Sequence, residues 1–456
     1  MLEPKFFEKL AYQGGDIMRV NVDLHSHSEY SPSVFNVSLE KIAYAAHLKG
    51  VDVIGTGDCL FLTWRKFLAE NLRETEEGIF QLKRVKQNNA RKVHFVLQTE
   101  LIFTFTKKGE KGRKRMDIVV LFPSFDSVDI GISLLKQWEV KNTTGRPFIL
   151  CETPQEVGDK IRKLLEVDPW IEVIPAHIMT PEGIFGSRNN INSFEEIFGE
   201  IPKNIHAVET GLSADVEILS LIPELDNFTL VSSSDLHSSG FQMVGRESTV
   251  LSTNQLMYKE IISAIRENKI AYTVEFPPSE GKYFLTGHRG DRPGHNGEPC
   301  YYSPLFSPPS KICPVCKKRL NIGVLERALE LQKIQGGKRK LGELKPEARP
   351  FIRVVPLFEI LTKKGVGEKE YLAICREFGN ELRLWENKVE EVESKLSKIN
   401  FNPEIVEAIV QVKKGDYSFN PPGYDGVFGE LKLGEYLDIL QVKREPLTRE
   451  SQISLF

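Results

Sequence analysis

Val20-Asn21-Val22-Asp23-Leu24-His25-Ser26-His27 is a short β-branched run that ends in ionisable side chains, and from Arg19 to about Val274 the chain repeats that pattern. Val51-Asp52-Val53-Ile54 runs into Gly55-Thr56-Gly57-Asp58, and Val93 to Leu97 runs into Gln98-Thr99-Glu100. Asp117 precedes Ile118 to Leu121, Ile171 to Ile174 leads to Pro175-Ala176-His177, Ile205 to Val208 leads to Glu209, and Leu230-Val231 leads to Ser234-Asp235-Leu236-His237. Helical stretches lie between the runs; Ser38 is a natural N-cap for a periodic Leu39 to Leu48 segment that Gly50 closes. Alternating units of this length predict an α/β fold built on a parallel sheet, open or closed, under a cover of helices. In such sheets the chemistry gathers at the C-terminal strand ends, where most of these ionisable residues fall.

At 456 residues the chain is longer than a single core usually serves, so one large domain with one or two attachments is expected. A composition of 41% hydrophobic and 27% charged residues excludes disorder and fibrous repeats. Charges run through Met1 to Val20, and nowhere do eighteen apolar residues run together, so no leader or membrane span is expected and the cytoplasm is the default. Six cysteines, two of them in Cys313-Pro314-Val315-Cys316, suit a reducing compartment and one zinc knuckle better than a disulfide framework. A net charge of -3 does not advertise nucleic-acid binding. Two basic runs, Lys107 to Arg115 and Lys338 to Lys340, permit it, although solvated hairpin tips are the commoner meaning of such runs.

His25 and His27 are two apart on an extended segment, so both imidazoles project to one side and reach one cation, with Asp23 placed to orient one of them. Asp235 and His237 repeat that spacing, and Asp58, Glu100 and His177 each end a comparable run. Nitrogen and oxygen ligands in such a mixture suit zinc, manganese or magnesium in a multinuclear cluster, the kind that stabilises in-line phosphoryl displacement.

The motifs Asp23-Leu24-His25-Ser26-His27-Ser28, Gly55-Thr56-Gly57-Asp58, Ala207 to Asp215 and Ser232 to Gly240, with the Glu100 and His177 strand ends, resemble the PHP superfamily. Gly281 to Arg289, the Cys313 to Cys316 knuckle and Pro422 to Gly429 extend the likeness, within that superfamily, to the branch of nucleases that incise DNA beside deaminated bases. The resemblance implies a distorted (β/α)7 barrel over residues 1–275, a zinc-binding module over 276–324, a C-terminal helical DNA-binding domain over 325–440 and a flexible tail over 441–456. It implies up to three divalent metals. His25, His27, Glu100 and Asp235 would hold one, Glu100 would bridge to a second with His177 and Asp117, and Asp58 with His237 would hold a third. His25, Glu100 and Asp235 are the residues expected to carry catalysis. Two departures stand out: the family tends to have histidine at Asp117, and another where this chain reads Cys59-Leu60-Phe61.

Two thiolates on the tight Cys313 to Cys316 turn call for two more ligands to close a tetrahedral structural zinc site. Cys300 is the natural third; the family's Gly-His-Arg motif favours His288 as the fourth, while His295 has the tidier spacing. Lys363-Lys364-Gly365-Val366-Gly367-Glu368-Lys369 reads either as a glycine turn opening a helix whose amides hold a backbone phosphate, or as a plain interhelical turn. Gln452, Leu455 and Phe456 resemble a short sliding-clamp (PCNA) binding box.

The resulting expectation is a DNA repair endonuclease that cuts 5′ to uracil, hypoxanthine, xanthine or an abasic site and leaves a 3′-hydroxyl and a 5′-phosphate. A small-molecule PHP phosphatase, of the kind acting on histidinol phosphate, would use the same cluster without needing the zinc module. A non-catalytic DNA or clamp adaptor would tolerate the two departures but gains nothing from retaining His25, His27, Glu100, His177, Asp235 and His237.

Overall fold

The computed structural model describes residues 17–86, 92–199, 204–344 and 349–445; the clamp-box residues Gln452, Leu455 and Phe456 lie outside them. Val20 and Val22 bury their side chains as the first strand, β1 (Met18–Asp23), whose end delivers His25 and His27 to the interior. The next segment is the helix its caps predict: in α1 (Leu39–Lys49) the Ser38 side chain accepts from the Lys41 amide, and Gly50 closes the last turn at φ 87°. β2 (Val53–Gly55) follows and pairs parallel with β1. Trp64 of α2 (Leu62–Asn71) is buried, and its indole N–H donates to the carbonyls of Thr56 and Gly57, which fixes the loop that carries Asp58.

The expectation of a purely parallel sheet fails next. After the hairpin of β3 (Leu72–Glu76) and β4 (Ile79–Leu82), β5 (His94–Thr106) runs on well past Glu100 and folds back directly, without a helix, into β6 (Arg113–Phe122). Gly109 and Gly112, both in the left-handed region at φ 82° and 81°, let residues 107–112 make that turn. Antiparallel pairing sets Ile102 opposite Asp117, so Asp117, in the middle of its strand, comes to the same rim as Glu100. Part of the basic run in this hairpin is spent locally: Lys107 pairs with Glu110 and Glu196, and Lys114 with Glu110.

Helix α3 (Phe125–Gln137), capped by Ser124, and α4 (Pro154–Leu165), capped by Thr153, flank β7 (Phe148–Leu150). β8 (Glu172–Pro175) pairs with β6, and β9 (Ala207–Glu209) pairs parallel with β10 (Thr229–Val231). The Ile178 amide donates to Glu209 O and the Ser232 amide to Thr249 Oγ1 of β11 (Ser248–Thr253), which pairs with β1 and brings the strands back round to the start. Mixed pairing therefore holds an 11-stranded sheet together, with α5 (Tyr258–Arg266) packed on it.

Beyond β12 (Ile270–Glu275), β13 (Thr286–His288) and β14 (Cys300–Tyr302) form a separate small sheet. Residues 443–444, expected in the free tail, pair with β14 instead, and β15 (Phe351–Arg353), from the segment expected to be helical, adds to the edge of the main sheet beside β12. Helices α6 (Val324–Ile334), α7 (Leu357–Lys363), α8 (Glu368–Phe378), α9 (Glu381–Glu386), α10 (Val389–Lys398) and α11 (Pro403–Lys414) account for the helical reading of this part. Leu357, Ile360, Tyr371, Ile374, Leu396 and Ile409 bury a second core against Tyr272 and Val274 of β12. A buried Lys49–Glu381 ion pair at 2.8 Å ties that core to α1. Among the described residues no helix is long and apolar enough to cross a membrane.

Candidate metal centre

His25, His27, Glu100 and Asp235 meet at the rim where β1, β5 and the segment after β10 converge. His25 Nε2 lies 3.7 Å from Glu100 Oε1 and 3.6 Å from Asp235 Oδ1, and His27 Nε2 lies 3.6 Å from Glu100 Oε2 and 3.2 Å from Asp235 Oδ1. With metal–ligand bonds of about 2.0–2.2 Å to nitrogen and oxygen, the edges of a tetrahedron around one ion fall at about 3.3–3.6 Å. His25 Nε2 and Glu100 Oε1 are buried without any hydrogen-bond partner, a state that a bound cation relieves. The donor set fits a divalent ion.

Ring orientation agrees. The Nδ1–H of His25 donates to Glu209 at 3.0 Å and that of His177 to Thr180 Oγ1 at 3.1 Å, which leaves each Nε2 for a ligand. Electrostatics agree as well. Burial lowers the proton affinity of His25, but Glu209, Asp235 and Glu100 outweigh it and raise its pKa to about 10. His27, likewise opposed by burial, is raised to about 9 by Asp235, Asp58 and Glu100. Burial alone would raise the Asp235 carboxyl, yet His237, His25 and His27 hold it well below the usual range. Carboxylates dominate the centre, so it selects positive charge.

Two further donor sets share these residues. His177 Nε2 is 3.4 Å from Glu100 Oε1 and 3.9 Å from Asp117 Oδ2, and His237 Nδ1 is 3.5 Å from Asp235 Oδ1 beside His27. Asp58 is not brought to the cluster. Its oxygens accept from the Ser28 amide and hydroxyl at 2.8 and 2.6 Å and from the Ser31 hydroxyl at 2.9 Å, and one faces His27 Nδ1 at 3.5 Å. Asp58 therefore backs His27. The role expected of Asp23 also changes: it accepts from the amide and hydroxyl of Ser234 at 2.9 and 2.6 Å, pinning the Asp235 segment, while Glu209 orients His25.

Three of these residues, Asp58, His177 and Asp235, sit in the left-handed backbone region at φ 47°, 30° and 47°. Strain of about 1–3 kcal/mol at each such position persists only where the surroundings over-determine it. Gly211 shows how closely they do so, since a Cβ there would lie 2.6 Å from His177 Cβ. Gly145 shows it again, since a Cβ there would lie 2.4 Å from Asp58 Oδ2. Gly145→Ala is expected to displace Asp58 from behind His27 and weaken metal binding about tenfold, within the range for outer-shell partners, as read by titration against a metal-indicator dye. Glu209→Gln, which removes the negative charge behind the His25 ring and the His177 amide, at 3.0 and 2.9 Å, while keeping an acceptor oxygen, should weaken binding by about 10- to 100-fold with the fold intact by circular dichroism. Unchanged affinity in either variant would refute the positioning role assigned to the residue.

Sequence reasoning gave no role at the centre to Arg115, Arg146 or Glu209, although Glu209 ends one of the apolar runs and Arg115 closes a basic run. Arg146 Nη1 donates to Glu100 Oε2 at 2.9 Å, and Arg115 grips Asp117 through Nε and Nη2 at 2.7 and 2.5 Å. Arg146 and Glu209 act on residues from other runs, so nothing local marks their targets, whereas Arg115 lies only two residues from Asp117 on β6. A cleft of about 470 Å³ opens from the centre, lined by these arginines and by Lys282, Tyr283 and Phe428.

In the small sheet a second group converges. His288 Nδ1 lies 3.2 Å from His295 Nε2 and 3.4 Å from Cys316 Sγ, and His295 Nε2 lies 3.4 Å from Cys313 Sγ. The other ring nitrogens are spent on the carbonyls of Arg319 and Glu298, both at 2.9 Å. Both candidate histidines are thus drawn in. Cys300, expected as the third ligand, has its sulfur 3.6 Å from that of Cys313 but stands outside the quartet of His288, His295, Cys313 and Cys316. The physical reason is the turn through Gly294, at φ 92°, which folds His295 back over His288.

Fold and donor set together define a class, the metal-dependent phosphodiesterases. The particular protein that the chain resembles is endonuclease Q. The lesion-specific endonuclease of that name from Pyrococcus furiosus superposes with a TM-score of 0.72 at 26% identity, over 96% of this chain and 99% of its own. Endonuclease Q in complex with a 27-mer duplex substrate bearing an abasic lesion at the active site superposes with 0.73 at 26% identity, over 94% and 100%. Among curated proteins, an uncharacterised protein of Methanocaldococcus jannaschii is 30% identical over 255 residues, which are 52% of this chain but only 30% of the relative's length. The uncharacterised protein YqxK of Bacillus subtilis is 28% identical over 398 residues, 85% of this chain and 90% of its own. No family profile matches the chain.

Proposed function

We propose that the chain is a DNA repair endonuclease that hydrolyses the phosphodiester bond 5′ to a deaminated base or an abasic site. The observation that carries this reading is the likeness to endonuclease Q across nearly the whole chain, including the segments that wall the cleft beyond the metal centre. A divalent ion, when bound, supplies Lewis-acid polarisation of a phosphoryl oxygen and lowers the pKa of water. His25, His27, Glu100 and Asp235 are its holders, and Glu100, Asp117 and His177 are a second donor set. Arg146 and Arg115 face the same cleft and offer fixed charge to a phosphate. Lys282 lies over the rings of both Tyr283 and Phe428, at 5.4 and 5.9 Å, and this wall suits an extruded nucleotide, with an aromatic face for the sugar or base and a cation for the backbone.

Within this reading the sheet is a distorted PHP barrel, His288, His295, Cys313 and Cys316 close a structural zinc site, and the helices after residue 324 hold the duplex. The sliding clamp remains the expected partner of Gln452, Leu455 and Phe456. The test is incision of end-labelled duplexes bearing one uracil, hypoxanthine or abasic site, with magnesium or manganese. Cutting 5′ to the lesion supports the reading. Release of phosphate from small esters without lesion-dependent cutting replaces it with a phosphatase.

A further inference from the structure

Arg115 is built into the second donor set. Its Nε and Nη2 fork both oxygens of Asp117, its Nη1 donates to Glu182 Oε2 at 2.8 Å, and its guanidinium lies over the Phe148 ring at 6.0 Å. Asp117 is 2% exposed, and each of its oxygens accepts from Arg115. Glu100 Oε2, the oxygen that faces His27 in the first set, accepts from Arg146. Of the two orphaned atoms of the centre, His25 Nε2 belongs to the first set and Glu100 Oε1 lies between the two sets, 3.7 Å from His25 Nε2 and 3.4 Å from His177 Nε2, and among the described residues Asp235 meets histidines but neither lysine nor arginine in ion-pair range. The third set shares His27 and Asp235 with the first. The Asp235 carboxylate of the first set thus has no fixed cation beside it, whereas the Asp117 carboxylate of the second is already paired with Arg115.

We propose, resting on the reading of this centre as a phosphodiesterase metal site, that it holds a single strongly bound divalent ion at His25, His27, Glu100 and Asp235, with Arg115 standing permanently in the second position. A guanidinium does not lose its proton at any working pH, and its fork matches a carboxylate with two parallel bonds. Binding an ion through Asp117 means breaking that fork and leaving an unpaired guanidinium beside a divalent charge, which desolvation and repulsion both oppose. Arg115 then supplies fixed positive charge at the cleft where a second ion would otherwise do so.

Electron paramagnetic resonance of the full chain titrated with Mn2+ tests this, because a zinc ion in the small module is silent. The expected spectrum at saturation is that of an isolated Mn2+, with one strongly bound ion lost in His25→Ala. An exchange-coupled pair in the native chain overturns the proposal, whatever the variants do. The double variant Arg115→Gln/Asp117→His should take up a second ion and show the coupled signal; a folded double variant that binds no more Mn2+ than the native chain also overturns it. No substrate enters the measurement, so a chain that gives the isolated signal but fails to cut lesion DNA removes the endonuclease reading and leaves the single-ion centre standing.

Discussion

Asp235→Asn is expected to lose the strongly bound divalent ion and, with it, lesion-dependent cutting by roughly a thousandfold, the rate equivalent of about 4 kcal/mol of lost electrostatic stabilisation. Asp235 Oδ1 is the oxygen that both His25 Nε2 and His27 Nε2 approach, at 3.6 and 3.2 Å, so the substitution removes a ligand charge from the middle of the set. Asparagine is the informative replacement. The residue sits at φ 47°, where asparagine is tolerated and alanine is strained, so the variant changes charge while keeping shape and backbone. Metal content by mass spectrometry and single-turnover cutting of an abasic duplex are the readouts, with circular dichroism confirming the fold. A variant that keeps its ion and cuts within tenfold of the native chain would remove Asp235 from the ligand set.

The ionisable strand ends were legible because the metal-site signal is local: His25 with His27, and Asp235 with His237, each sit two apart on extended backbone, and Glu100 and His177 end apolar runs. What the sequence hid is long-range. The direction of β6 depends on a hairpin that the Lys107 to Arg115 run only hinted at, and that hairpin explains how Asp117, ahead of its strand's apolar core, reaches Glu100. Asp23 reads as a partner of its neighbours His25 and His27, yet it binds Ser234, 211 residues away. Asp58 has the residue type of a ligand and the wrong surroundings, since Ser28 and Ser31 consume its oxygens. Arg146 carries no motif, and the motif and basic run that hold Glu209 and Arg115 do not name their partners. Their roles exist only once the strands have placed their targets, so charge pairing across the sheet, rather than spacing along the chain, decides what each carboxylate is free to do.

Cys313→Ser/Cys316→Ser is expected to release one zinc ion and open the segment 288–321 while the main sheet and its metal centre persist. The small module has little else to hold it: its apolar cluster consists of Cys300, Tyr302, Cys313 and Leu320, with Val315 and Cys316 packed beside them. Structural zinc sites contribute about 10–16 kcal/mol of apparent binding energy in isolated finger peptides, which is of the order of a whole domain's stability. The loss should spread in one direction. Asp425 accepts from the Arg289 amide at 2.8 Å, from Arg292 and from Asn321, so the loop that carries Phe428 to the cleft is fastened to the module. Hydrogen exchange should therefore rise at 288–321 and at 423–429 together and stay unchanged in β1, β2 and β5, while affinity for a lesion duplex falls and Mn2+ uptake at the cluster does not. Increased exchange confined to 288–321 would break the link between module and cleft wall; increased exchange in β1 would show that the zinc site supports the whole fold.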